Sequence, residues 1–322
     1  MSERSAVPPP VTAVLDASSR WLPTRLGEVE DRLRAAIAPF ADSPVGADAA
    51  ATLAAGGKRL RPMLVLLCAG EGGGEAAVRA ATAIELVHMA TLVHDDVLDQ
   101  APLRRGVPTV AATSGRSRAL ATGDLLLSRA FALLAAAGDA RAVELLADAS
   151  VALARGELAQ RQDAFDLTID ERRYLHRCRL KTATLFECAC LLGFDDERLR
   201  RFGADVGLAF QLLDDVLDVS GPPERTGKAR GTDLLDGTIT LPLIVAAERD
   251  PALRAIDLQR LDAAAAEALC DRIAATGALE EVRSRALAMV ATGKRALDGP
   301  GLEAEQRQLL ELVADGVVQR YS

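Results

Sequence analysis

Aromatic residues are scarce in this chain. They make up 3% of its 322 residues, with one Trp, two Tyr and seven Phe. β-branched and aromatic runs of strand length are missing too, while Ala and Leu dominate, a mix that favours helix over a β-sandwich. Cation excess is also lacking. Lys and Arg number 38 against 46 Asp and Glu, and a net charge of -8 argues against a nucleic-acid partner. The five cysteines (Cys68, Cys178, Cys188, Cys190, Cys270) are an odd count without zinc spacing, so buried free thiols and a reducing compartment are expected. The N-terminal stretch has Pro8-Pro9-Pro10 and no apolar h-region, so it does not read as a signal peptide. No run reaches the roughly 18 apolar residues of a membrane span, and the expected location is the cytoplasm.

What the chain does have is a pentapeptide present twice. Asp95-Asp96-Val97-Leu98-Asp99 and Asp214-Asp215-Val216-Leu217-Asp218 both read DDVLD, each at the end of an apolar run. On a helix, residues three and four apart share a face, so three carboxylates crowd together in each copy. Like pairs at this spacing cost roughly 0.2–0.5 kcal/mol each. A hard divalent cation bound by carboxylate oxygens offsets that cost, and Mg²⁺ is the natural candidate. Two copies suggest two helices sharing one polyanionic ligand through bridging metal.

Cationic segments accompany the aspartates. Gly56-Gly57-Lys58-Arg59-Leu60-Arg61-Pro62 joins flexible backbone to three cations just before the apolar run Met63 to Cys68, a natural phosphate site. Arg104 and Arg105 lie in the loop that leaves the first aspartate cluster. His88 is seven residues before Asp95 and shares its helix face. Lys181 sits beside Thr182 inside an apolar run, which is costly without an anionic partner and so favours a ligand role. Gln211 stands one turn before Asp214 and Asp215.

Along the chain, residues 1–20 read as a flexible segment and 21–322 as one helical domain with no linker. Helices are expected from Trp21 to Phe40, Ala76 to Leu98, Gly123 to Ala137 (opening near Asp124), Arg141 to Phe165 and Gly203 to Val219, and no strand pattern of any length is present. Asp170 is expected to cap a helix. Gly221 to Gly237, with Lys228, reads as a mobile flap.

Taken in order, GGKRLRP at 56–62, ELVHMATLVHDDVLD at 85–99, LRRG at 103–106, GEL at 156–158, KT at 181–182, FQLLDDVLDVSG at 210–221 and GK at 227–228 resemble the trans-isoprenyl diphosphate synthases (polyprenyl synthetases). The resemblance implies an all-α, single-domain bundle of long helices around a central cavity, usually a homodimer. It implies a prenyltransferase that joins an allylic diphosphate to isopentenyl diphosphate by head-to-tail 1'-4 condensation. Asp95, Asp96, Asp99, Asp214, Asp215 and Asp218 would bind Mg²⁺, three ions per active site. Lys58, Arg61, His88 and Arg105 would hold isopentenyl diphosphate. Arg104, Lys181, Gln211 and Lys228 would contact the allylic diphosphate, and Thr182 with Gln211 would place or stabilise the allylic cation. One departure is Thr238, where many relatives carry Lys.

Product length follows from the helix bearing the first motif. Ala90 and Thr91, five and four residues before Asp95, face the expected tunnel and are small, where short-chain synthases place an aromatic floor. The product is therefore expected to exceed farnesyl diphosphate, in the hexaprenyl to decaprenyl range, with geranylgeranyl diphosphate as the nearer alternative. A terpene cyclase is disfavoured by the second DDxxD and by GGKRLRP. A non-catalytic subunit of a heteromeric synthase is disfavoured because both aspartate sets are kept.

Overall fold

A computed structural model describes residues 9–18, 20–221, 230–299 and 301–319, with side chains from residue 13 onward. In chain order the helices are α1 (Pro9–Ala17), α2 (Leu22–Ile37), α3 (Pro44–Ala54), α4 (Leu60–Ala69) and α5 (Gly74–Leu98). A two-residue ladder, β1 (Leu103–Arg104) with β2 (Val107–Pro108), follows. Then come α6 (Val110–Ser114), α7 (Arg116–Ala135), α8 (Ala140–Gln162), α9 (Glu171–Cys178), α10 (Thr184–Gly193), α11 (Glu197–Ser220), α12 (Thr232–Leu235), α13 (Leu241–Arg249), α14 (Ala263–Ala275), α15 (Ala278–Ala296) and α16 (Ala304–Gln319).

The all-α expectation holds, and several local expectations need correction. Pro9–Ala17 is helical and Val14 is fully buried, so the tail begins to pack earlier than residue 21; residues 1–8 lie outside the described part. The arginine loop closes as an antiparallel pair, Leu103 opposite Pro108 and Arg104 opposite Val107. Two residues a side is too short for an alternation to be visible in the sequence. Asp124 lies mid-helix in α7, not near its start, because Gly115 at φ 82° is the residue that breaks α6 from α7. Asp170 caps α9 as expected, accepting from the Arg173 amide at 2.8 Å. Residues 222–229 of the expected flap, with Lys228, lie outside the described residues, and Thr232–Leu235 of it are helical as α12.

By its internal contacts the chain divides into two compact units. Unit 1 takes Met1–Ser150, Cys188–Arg200 and Gly299–Val313; unit 2 takes Val151–Glu187, Arg201–Asp298 and Ala314–Ser322. Both are assembled from separated stretches, which is why no linker marks the division in the sequence.

In unit 1, α5 is the hub and packs on α2, α3, α4, α6 and α7. Its middle is apolar on every side, so it is wrapped rather than surface-lying. Ile84 and Leu86 are fully buried, as are Leu64 and Leu67 of α4 and Leu126 of α7. The stretch Glu71–Leu98 is long and apolar enough to cross a membrane, which corrects the expectation that no run reaches that length. Its apolar window is 72% buried inside the protein, so burial in the core accounts for its composition. In unit 2, α13 packs on α9, α14 and α15, and α12 packs on α14. The rings of Phe186 and Phe210 meet there at 5.6 Å between centroids, tilted by 41°. All five cysteines are free and buried, as expected.

Candidate active site

The cationic loop of unit 1 enters α4 through Arg59, whose backbone is left-handed at φ 49°, ψ 33°. That conformation is uncommon for a residue with a Cβ and persists only where surroundings enforce it. Here two carboxylates do so. The Arg59 guanidinium donates to Glu85 on α5 at 2.8 Å and also to Glu30 on α2. With Arg59 turned inward, Arg61 reaches His88 on α5, Nη1 to Nε2 at 3.1 Å. Arg61 keeps its charge, lowered to about 10 by burial, with Glu85 opposing the shift and Arg105 adding to it. Burial first, then Arg61, Arg105, Arg104 and Arg59, hold the His88 imidazole well below its ordinary 6.5. His88 is therefore neutral and accepts from Arg61. Arg105, at φ 53°, donates to the Gly56 carbonyl and so closes over the same loop. Lys58 is exposed beside it.

The first aspartate motif ends α5. Asp96 is buried and is paired with Arg104 at 2.7 Å, so the β-hairpin is pinned to the motif. Asp95 and Asp99 are more exposed. His94, just before the motif, lies 3.5 Å from Asp124 and packs on Gly123 of α7, where a Cβ would collide with the imidazole ring. A cavity of about 450 Å³ flanks this part of α5. Arg59, Glu85, Asp96, Arg104 and Arg105 lie along it, with Met89, Leu92 and Val93 as its α5 apolar wall. Ala90 is 2% exposed and Thr91 half-buried, and neither lines this cavity. Thr91 bonds its own helix, donating to the His88 carbonyl at 2.8 Å.

Unit 2 organises the second motif. Asp215 is buried, and both its oxygens are engaged, by Tyr174 Oη at 2.5 Å and by Gln211 Nε2 at 2.7 Å. Gln211 in turn accepts from the Thr182 hydroxyl at 2.6 Å. Thr182 and Lys181 lie in a π-helical turn, Arg179–Ala183, between α9 and α10. Gly156 allows that turn to approach, since a Cβ there would sit 2.6 Å from the Lys181 amide nitrogen. The anionic partner that Lys181 requires is inside the protein: Glu157, at 2.5 Å. Lys181 therefore needs no ligand to balance its charge, although 27% of its side chain stays exposed. Thr238 donates its amide to the Asp233 carbonyl at 2.8 Å, and Phe165 packs its ring on Gly237. From the sequence Arg59 reads only as a phosphate-site cation, whereas here Glu30 and Glu85 hold it; Glu85 and Tyr174 have no role assigned from the sequence. Glu85 carries a weak signal, an acid inside an apolar run; Tyr174 carries none beyond its rarity.

Among the described residues, no three of His, Cys, Asp or Glu converge on one point. Mg²⁺ does not need such a cage, because it takes one or two carboxylates and completes its shell with water and phosphate oxygens. The donor set is oxygen only. Burial, then Asp233, raise the Asp215 carboxyl well above its ordinary range, with Asp214 adding to the rise and Tyr174 and Gln211 opposing it. Crowded acids of this kind are the environment a divalent cation relieves, so the residues fit the metal.

The polyprenyl synthetase family profile matches residues 45–273. The chain belongs to that family. It is 41% identical over 285 residues to heptaprenyl diphosphate synthase component 2 of Geobacillus stearothermophilus, covering 85% of this chain and 88% of that protein. A solved decaprenyl diphosphate synthase from Rhodobacter capsulatus superposes with a TM-score of 0.86 at 33% identity, over 97% of this chain and 99% of that one. A polyprenyl synthase from Caulobacter crescentus CB15, solved with calcium and isoprenyl diphosphate, gives 0.86 at 32% identity over the whole of both chains. This polyprenyl synthetase is accordingly an elongating prenyltransferase.

Proposed function

We propose that the protein is an Mg²⁺-dependent trans-polyprenyl diphosphate synthase that adds isopentenyl diphosphate to an allylic diphosphate by 1'-4 condensation. The observation that carries this reading is the buried Arg61–His88 contact beside Arg105, on the same helix, α5, that carries Asp96. Such a site binds a diphosphate through fixed charge without a titrating histidine. Bound metal supplies charge neutralisation for the diphosphate leaving group. Asp95, Asp96, Asp99, Asp214, Asp215 and Asp218 are the residues that would hold it.

In this reading Lys58, Arg61, His88 and Arg105 bind and orient isopentenyl diphosphate. Arg104 leaves Asp96 to meet the allylic diphosphate, freeing that carboxylate for metal. Lys181, already screened by Glu157, keeps its ammonium exposed on one side for the same substrate. Lys228 lies outside the described residues and stays a proposal from the resemblance. Thr182 and Gln211 face the developing positive charge with oxygen atoms. The small Ala90 and Thr91 support a product longer than farnesyl diphosphate. A reducing, cytoplasmic location and a homodimer complete the reading, the former supported by five free thiols.

The test is incorporation of labelled isopentenyl diphosphate with dimethylallyl, geranyl, farnesyl or geranylgeranyl diphosphate as primer. Label should enter the polyprenyl fraction with Mg²⁺ and not after chelation; no incorporation with any primer would refute the reading. A second reading rests on the relative named as a component 2. There the chain works as the aspartate-bearing member of a two-chain synthase, and the purified protein alone would be inactive until its partner is added.

A further inference from the structure

The aspartate motif of unit 2 belongs to a directed chain of hydrogen bonds. Tyr174 is 1% exposed and donates its phenolic O–H to Oδ2 of Asp215 at 2.5 Å. Gln211, one turn earlier on α11, donates Nε2–H to Oδ1 of the same carboxyl at 2.7 Å. Thr182 donates its hydroxyl to Gln211 Oε1 at 2.6 Å. An amide side chain is planar and two-ended, so whichever end faces Asp215 decides which end faces Thr182. Oδ1 of Asp215 accepts, so the amino end is held there and the carbonyl end is turned to Thr182. Thr182 then spends its one hydrogen on Gln211, and its lone pairs stay available.

Tyr174 makes this direction stable. Its hydroxyl occupies Oδ2, which leaves Oδ1 as the acceptor for Gln211. Without the phenol, Asp215 can rotate or exchange its oxygens, and the Gln211 amide can turn over. Thr182 could then accept from an N–H, and the negative end of the Gln211 dipole would be lost from that side.

We propose that Tyr174 is a positioning residue for prenyl transfer: acting through Asp215, it fixes the Gln211 amide with its carbonyl oxygen toward Thr182. Resting on the function proposed above, this orientation presents two oxygens, from Gln211 and Thr182, to the positive charge that develops on the allylic group. Tyr174 itself touches no reacting atom. The buried phenol costs little where it is, since its O–H is satisfied.

Two measurements decide it. First, Tyr174→Phe should lower kcat by about 10- to 100-fold, a fraction of what direct loss of a preorganised dipole costs, with KM for both diphosphates within about twofold. In the Gln211→Ala background the same change should have no further effect, because Tyr174 acts through Gln211. Independent, multiplying losses would overturn the proposal. Second, the wild-type chain labelled with ¹⁵N-glutamine should show a Gln211 side-chain amide with one proton shifted downfield and slow to exchange, held by Asp215. Tyr174→Phe should collapse that signature. A Gln211 amide that exchanges freely in the wild type would overturn the proposal whether or not the variant folds. If the wild-type chain transfers no prenyl group at all, the functional reading fails, while the amide spectrum still decides the positioning.

Discussion

Arg59 holds its φ of 49° because Glu30 and Glu85 grip its side chain from two helices. Glu85 is 3% exposed, so its charge has no water to fall back on. Arg59→Ala should therefore destabilise the fold by about 3–5 kcal/mol, the range for breaking a buried pair from one side. Urea titration measures it, and a change under ~1 kcal/mol would show that Glu85 finds another partner. His88 gives a pH prediction. Its folded-state affinity for protons is depressed, so between its ordinary 6.5 and that lower value the unfolded chain binds a proton that the folded chain does not. Stability should fall as pH drops below about 6.5. His88→Asn should flatten that dependence; the check is the urea midpoint against pH. Of these residues, His88 and Arg61 could be picked out from the sequence because motif and helix spacing mark them. Glu85 carries only the weak signal of an acid in an apolar run and Tyr174 none, because no motif marks either and only tertiary packing brings in their partners, 26 and 41 residues away.

Among the elements, the longer helices are legible in the sequence and most of the short ones are not, α9 with its Asp170 cap excepted. The apolar periodicity of α2, α5, α8 and α11 survives boundary errors of a few residues. The two-residue hairpin and the π-helical turn at 179–183 leave no periodic trace, yet they carry Arg104 and Lys181. Gly156 marks where α8 meets that turn. Gly156→Ala would place a Cβ 2.6 Å from the Lys181 amide and 2.9 Å from its Cα. Backbone cannot yield as a side chain does, so about 1–3 kcal/mol should be lost, with a matching fall in activity as Lys181 and Thr182 shift. Thermal unfolding with parallel kinetics tests the pairing. On α5, Ala90→Phe should shorten the product if Ala90 faces the growing chain. Ala90 is 2% exposed, so the added ring must displace neighbours, and an unaltered product distribution in the folded variant would place the tunnel elsewhere.

For the whole molecule, two compact units each carry one copy of DDVLD. The repetition was legible as a request for metal; that each copy has its own anchoring was not. Asp96 is tied to an arginine of its own hairpin, and Asp215 to a tyrosine and a glutamine of its own unit. Asp95→Ala and Asp214→Ala should both lower kcat by at least about 10²–10³-fold, the scale for losing one electrostatic contact in a water-excluded site. Only changes upstream of Asp95 should alter product length. The most direct test of the central claim is the product chromatogram of the purified chain. It would be incubated alone with Mg²⁺, labelled isopentenyl diphosphate and farnesyl diphosphate, then dephosphorylated and resolved by length. A labelled all-trans product in the hexaprenyl to decaprenyl range is expected. Product stopping at geranylgeranyl would contradict the assigned length, and no incorporation with any allylic primer, with or without added partner chains, would contradict the assignment itself.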